Sequence, residues 1–153
     1  MAEALDLLYR DIVMDHFRNP RGRKQLAEPD IRNQGQNPVC GDEISVAIKL
    51  DEDIVEDISV ECMGCTISVA SGSMLAEAIK GKSLGQVKVI ASAVKALIKG
   101  ETPPEMEMGD LEALAGVKNF PVRIKCALLS WTTLIDGIEA LESGKPVRLT
   151  STE

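Results

Sequence analysis

Residues 43–79 read EISVAIKLDEDIVEDISVECMGCTISVASGSMLAEAI. Ile44, Val46, Ile48 and Leu50 alternate with Glu43, Ser45, Ala47 and Lys49, a period of two that predicts a half-buried strand. Asp51-Glu52-Asp53 makes a polar turn. Ile58, Val60 and Cys62 then alternate with Asp57, Ser59 and Glu61, so the two runs predict an antiparallel hairpin. Glu56 breaks the alternation and marks a bulge or an off-core start to the second strand. From Thr66 the apolar positions fall at Ile67, Ala70, Ser71, Met74, Leu75, Ala78 and Ile79, a helical period, with Gly81 as the stop. The change of period at Gly64-Cys65 decides the class. Strands come first and helices follow, which is an α+β arrangement with a small antiparallel sheet packed against several helices.

Upstream, Leu5, Leu8, Tyr9, Ile12, Val13 and Phe17 predict an amphipathic helix ending near Asn19-Pro20. Residues 18–38 read as a long loop punctuated by Asn19-Pro20, Pro29, Gly35 and Asn37-Pro38. It carries a basic cluster of Arg18, Arg21, Arg23 and Lys24. Downstream, Ser83 and Gln86 form a capping box for a helix striped with Val87, Ile90, Val94, Leu97 and Ile98, and Gly100 ends it. Residues 101–109 form an acidic loop containing prolines. Asp110 is expected to cap a short helix carrying Leu111 and Leu114. Pro121 opens a last helix with Ile124, Ala127, Leu128, Trp131, Leu134, Ile135, Ile138 and Leu141 on one face, closed by Gly144 and Pro146. With no internal repeat and 153 residues, the expectation is one domain over 1–153.

Composition narrows the function classes. Only four residues are aromatic, too few for base-stacking platforms. A net charge of −7 argues against a nucleic-acid or anionic-membrane surface. No run approaches the length of a membrane span, and the acidic amphipathic start is unlike a signal peptide. The expected compartment is the reducing cytoplasm, where four cysteines mean thiols or metal ligands before disulfides.

Each cysteine has its own setting. If the first strand extends back, Cys40 and Asp42 share the parity of Ile44 and face the covered side. A carboxylate there needs a partner: a metal ion, or backbone hydrogen bonds in a turn. Cys65 stands where strand gives way to helix, where the helix dipole lowers a thiol pKa; the alternative is a small buried residue. Cys126 lies about 200° around the helix from Ile124, off the apolar stripe, which favours chemistry over packing. Cys62 shares a face with Ile58 and Val60 and reads as a core-facing residue. Cys62-Met63-Gly64-Cys65 matches a redox C-x-x-C, but the helices that follow cannot complete a thioredoxin fold. His16, the only histidine, is expected to cap the end of the first helix rather than bind metal. Cys40, Asp42, Cys65 and Cys126 together offer three sulfurs and one oxygen, a donor set for tetrahedral zinc drawn from three separate segments.

Tyr9, Asp15 through Arg21 (DHFRNPR), Asn37 through Asp42 (NPVCGD), Gly64 through Ser68 (GCTIS), and Arg123 through Cys126 with Trp131 together resemble the IscU/NifU-N superfamily of iron–sulfur assembly proteins. Two features resemble its SufU branch. Lys125 stands where IscU proteins carry a histidine, and residues 101–119 look like an extra segment ahead of the last cysteine. The resemblance implies a zinc-dependent sulfurtransferase acting with a SufS-type cysteine desulfurase and with downstream iron–sulfur assembly proteins. It implies Cys40, Asp42, Cys65 and Cys126 as ligands. It further implies that a desulfurase histidine displaces Cys40, which then accepts persulfide sulfur. The alternatives are a scaffold carrying a transient iron–sulfur cluster on the same ligands and a structural zinc module. No nucleic acid or membrane partner is implied.

Overall fold

The computed structural model describes residues 2–102, 106–144 and 149–152, with side chains of the first helix described from Tyr9 onward. The side chains of Leu5 and Leu8, together with Pro103, Pro104 and Pro146, lie outside the described residues. The order is α1 (Ala2–Arg18), β1 (Ile31–Asn37), β2 (Asp42–Asp51), β3 (Ile54–Met63), α2 (Thr66–Ile79), α3 (Leu84–Lys99), a 3-10 segment (Gly109–Asn119), α4 (Pro121–Ser143) and β4 (Thr150–Ser151). The sheet order is β3-β2-β1-β4, with β1, β2 and β3 antiparallel and β4 parallel to β1.

The hairpin is present as expected. Its ladder pairs Lys49 with Asp57 and Leu50 with Val55, so Glu56 is the extra, bulged residue that breaks the alternation. Glu52, in the turn, takes φ +57°. Ile44, Val46, Ile48, Ile58 and Val60 are buried beneath α2 and α4. Of the residues read as a long loop, 31–37 instead form β1. Its inward positions are Ile31, Asn33, Gly35 and Asn37, three of them without an apolar side chain, so the period-two signal is hidden. The inward Asn33 amide is matched by polar partners: its Nδ2 donates to the Thr133 carbonyl at 2.9 Å and to Thr150 Oγ1 at 3.1 Å. A Cβ at Gly35 would overlap Thr133 and press on Leu129, so glycine lets α4 approach the sheet closely.

Helix α2 is enclosed more completely than its apolar stripe suggested. Ser68, Ser71 and Ser73 are buried alongside Ala70, Met74, Leu75 and Ile79, because α1, α4 and β3 pack around it. Each of these serines hydrogen-bonds to another element, which offsets the desolvation of its hydroxyl. In α3, Ser83 and Gln86 exchange both capping-box hydrogen bonds, and Gly100 ends the helix in the left-handed region. Helix α4 starts with Pro121 and stops at left-handed Gly144.

Three expectations about side chains change. The inward residue near the end of α1 is His16, fully buried, while Phe17 is 37% exposed; the His16 ring meets Ser73 and Asp110 rather than capping its own helix. Asp110 does not cap the short helix, which is a 3-10 segment preceded by Met108; its carboxylate accepts instead from His16. In α4 the buried face includes Cys126, Leu129, Ser130, Thr133 and Gly137, a wider face than the apolar stripe, because small and hydroxyl side chains fit against β1.

Candidate metal centre

The centre forms where the β1–β2 turn, the start of α2 and the start of α4 meet. The turn is closed by the amides of Cys40 and Gly41, both donating to the Asn37 carbonyl at 3.2 and 2.9 Å, with Gly41 at φ +74°. Strand β2 begins at Asp42. Cys40 is thus delivered by the turn, not by strand parity as the sequence suggested, and it stays partly exposed.

Asp42 does keep the parity of Ile44 and is 1% exposed. Its Oδ1 accepts the Cys65 amide at 2.9 Å, and its Oδ2 accepts the Ser68 hydroxyl at 2.8 Å. Cys65 is the N-cap residue of α2 but offers no capping side chain, so the carboxylate of a neighbouring strand caps the helix in its place. A Cβ at Gly64 would overlap that carboxylate, which explains the glycine.

Cys126 is fully buried, contrary to its expected place off the packed face. Its Sγ lies 3.1 Å from Cys40 Sγ and accepts from Asn37 Nδ2 at 3.5 Å. Donor atoms of Cys40, Asp42 and Cys126 lie within 4.8 Å of one another. Cys65 stands outside that set of three; its Sγ is 3.8 Å from Asp42 Oδ2. Tetrahedral zinc with Zn–S of about 2.3 Å separates its donors by about 3.5–3.8 Å, which is the spacing of Cys65 Sγ from Asp42 Oδ2.

Electrostatics argue for a cation here. Burial, followed by contacts with Cys40 and Asp42, raises the Cys126 pKa well above that of an ordinary thiol. Two or more thiolates beside a buried carboxylate repel one another, and a divalent ion removes that penalty. Asn37 Oδ1, at the same place, is buried with no hydrogen-bond partner among the described residues. The donor types and their spacing fit zinc, with Ser68 and the Cys65 amide holding the carboxylate in position.

Cys62 sits on the same sheet face, paired in register with Ile44, and is partly buried as expected. Burial, then the charges of Asp42 and Cys65, push its pKa up to about 12, so the thiol is held neutral beside the centre.

Sequence reading missed the supporting contacts of four residues. Asn37, Gly64 and Ser68 lie inside motifs already singled out, but their partners come from other segments. Arg123 is exposed, and the thiol of Cys126 and the nearby Cys65 and Cys40 raise its pKa. Its position three before Cys126, on one helix face, is the signal that could have found it. Two of the four residues of the basic cluster are paired: Arg21 with Asp15 and Glu77, and Lys24 with Asp57. Lys125 is exposed.

A sheet-and-helix fold with a cysteine–aspartate cluster at the meeting of three chain segments defines a class, and comparison with known proteins places the chain in it. Residues 8–127 match the family model of the NifU-like N-terminal domain, and the chain belongs to that family. It is 45% identical over 141 residues to the zinc-dependent sulfurtransferase SufU of Bacillus subtilis, covering 92% of this chain and 95% of that one. It is 43% identical to the iron–sulfur cluster assembly scaffold protein IscU of Streptococcus pyogenes, covering 88% of this chain and 85% of that one. The fold is similar to the crystal structure of a putative iron–sulfur cluster assembly scaffold protein for the SUF system from Fervidobacterium islandicum, with a TM-score of 0.79, 29% identity and coverage of 83% and 93%. Among the described residues no helix is long and apolar enough to cross a membrane.

Proposed function

We propose that this protein works in iron–sulfur cluster assembly as a zinc-dependent sulfur acceptor in the cytoplasm, taking persulfide sulfur from a cysteine desulfurase of the SufS type. The observation that carries the reading is the cluster of Cys40, Asp42 and Cys126 within 4.8 Å, with Cys65 against the same carboxylate. The similarity to a named zinc-dependent sulfurtransferase supports it. Cys40, Asp42, Cys65 and Cys126 are the residues that would hold zinc. Zinc bound there supplies positive charge that keeps these thiols ionised at neutral pH.

Cys40 is the acceptor in this reading. It lies on a turn and is partly exposed, whereas Cys65 is fixed by a helix start and Cys126 is buried. The Cys40 thiolate attacks the terminal sulfur of the enzyme persulfide. The enzyme sulfur–sulfur bond breaks, the enzyme cysteine leaves as thiolate, and Cys40 becomes the persulfide, with no net redox change. Val39 at 73%, Met63 at 73%, Phe120 at 64% and Val122 at 69% exposure lie within six residues of a proposed ligand in the chain and give a partner apolar surface to cover. Arg123 contributes a positive charge beside the incoming anionic sulfur.

The similarity to named scaffold proteins favours a second reading, in which the same ligands hold a transient iron–sulfur cluster. Metal analysis of protein purified without added metal, paired with a desulfurase assay, separates the two. About one tightly held zinc and stimulated turnover support the acceptor. A brown, labile cluster with no stimulation supports the scaffold.

A further inference from the structure

We infer that His16, Glu77 and Asp110 form a second divalent-cation site, of nitrogen and oxygen donors, that shares no residue with the cysteine cluster. One ring nitrogen and one carboxylate oxygen from each acid lie within 4.8 Å of one another. The ring is fully buried, and its Nε2 faces Asp110 Oδ2 at 2.9 Å. The two carboxylates are about half exposed, at 49% and 46%. Both line a cleft of about 810 Å³, together with Met74, Ile90, Met106 and Met108. A cation in the cleft meets both carboxylates, and Asp110 is the one in contact with the ring.

The other ring nitrogen has the partner a metal-binding histidine needs. Nδ1 lies 2.7 Å from Ser73 Oγ, and an imidazole that binds metal through one nitrogen normally donates its other N–H to a fixed acceptor. Ser73 Oγ already accepts the Arg21 amide at 2.9 Å. Without metal, the Asp110 carboxylate can only accept, so Nε2–H donates to it and Nδ1 accepts the Ser73 hydrogen. With metal on Nε2, the ring proton moves to Nδ1 and is donated to Ser73, whose own hydrogen turns to a carbonyl in the preceding turn of α2. The two carboxylates then balance the charge of one divalent ion. Arg21 Nε, 3.3 Å from Glu77 Oε2, is the competing cation. It keeps Asp15 at 2.8 Å when Glu77 turns to the metal. An imidazole with two carboxylates selects borderline and harder ions such as zinc, ferrous iron or manganese rather than thiophilic ones.

The sole histidine of the chain makes the test unambiguous. Protein already carrying one zinc is titrated with further zinc while nitrogen NMR follows the His16 ring, and the same titration is run on Glu77→Gln. The site requires a change from the Nε2–H to the Nδ1–H tautomer at about one added equivalent. It also requires binding at least about tenfold weaker in Glu77→Gln, at an unchanged melting temperature. Asp110→Asn gives a second variant with the same expected loss. An Nε2–H ring that persists through excess zinc, or equal affinity in wild type and Glu77→Gln, overturns the proposal. The readout is the ring itself, so it does not depend on the role proposed for Cys40.

Discussion

Asp42 caps a helix and stands within a group of thiols, and separate substitutions should divide these roles. Asp42→Asn can still accept the Cys65 amide but cannot accept from Ser68 through its second side-chain atom, and it carries no charge. Zinc affinity should fall about 10- to 100-fold while the fold persists. Asp42→Ala also leaves the Cys65 amide without its partner and should cost a further 1–3 kcal/mol or so of stability. Competition with a zinc chelator and urea unfolding measure the two effects; equal zinc affinity in wild type and Asp42→Asn would remove Asp42 from the ligand set. Cys62 makes the contrasting case, since Cys62→Ser should keep its zinc and Cys65→Ser should lose it. Burial lifts the Cys62 pKa from an ordinary thiol's 9.0 to about 12 in the folded protein, so the folded state holds this proton more tightly than the unfolded chain. The associated stability is complete below about pH 9 and is lost as pH rises towards 12. Metal-free wild type should therefore lose on the order of 1 kcal/mol more than Cys62→Ser between pH 8 and 10.5, after allowance for partial exposure. Thermal unfolding at both pH values reads this difference, and parallel curves would contradict it.

Local signals fix some elements well. The Ser83–Gln86 capping box was legible because both partners lie within one turn of chain, and Ser83→Ala should cost about 1 kcal/mol in urea unfolding. The hairpin and its bulge at Glu56 were legible for the same reason, since alternation and its interruption are properties of one short segment. Strand β1 was not, because Asn33, Gly35 and Asn37 face inward and their partners, Thr133, Leu129 and Cys126, lie about a hundred residues away. The buried face of α4 was misread for a related reason: Cys126, Ser130, Thr133 and Gly137 are small or polar, and only the close approach of β1 and α2 makes them interior. His16 looked like a helix end because Ser73 and Asp110 are remote in sequence. The four residues proposed as ligands were legible as donor types, and the structure brings three of them within 4.8 Å. The residues that orient them, Ser68, Gly64 and Asn37, act through contacts that no spacing rule exposes.

At the scale of the whole molecule, the centre joins the sheet to two helices. Zinc bound at ligands from three segments should favour the folded state, so chelation should lower the melting temperature of wild type. Cys40→Ser should show a smaller drop than Cys126→Ser, because the turn that carries Cys40 can move without opening the core. An unchanged melting curve after complete zinc removal would show that the site contributes nothing to the fold. The central claim, that this architecture presents Cys40 to receive sulfur, is tested most directly by locating the sulfur. The protein is incubated with a cysteine desulfurase and free cysteine, persulfides are trapped by alkylation, and the peptides are identified by mass spectrometry. The expected result is a persulfide first on Cys40, with stimulated turnover abolished in Cys40→Ser although that variant still binds the enzyme. A persulfide mainly on Cys126, with turnover intact in Cys40→Ser, would contradict it.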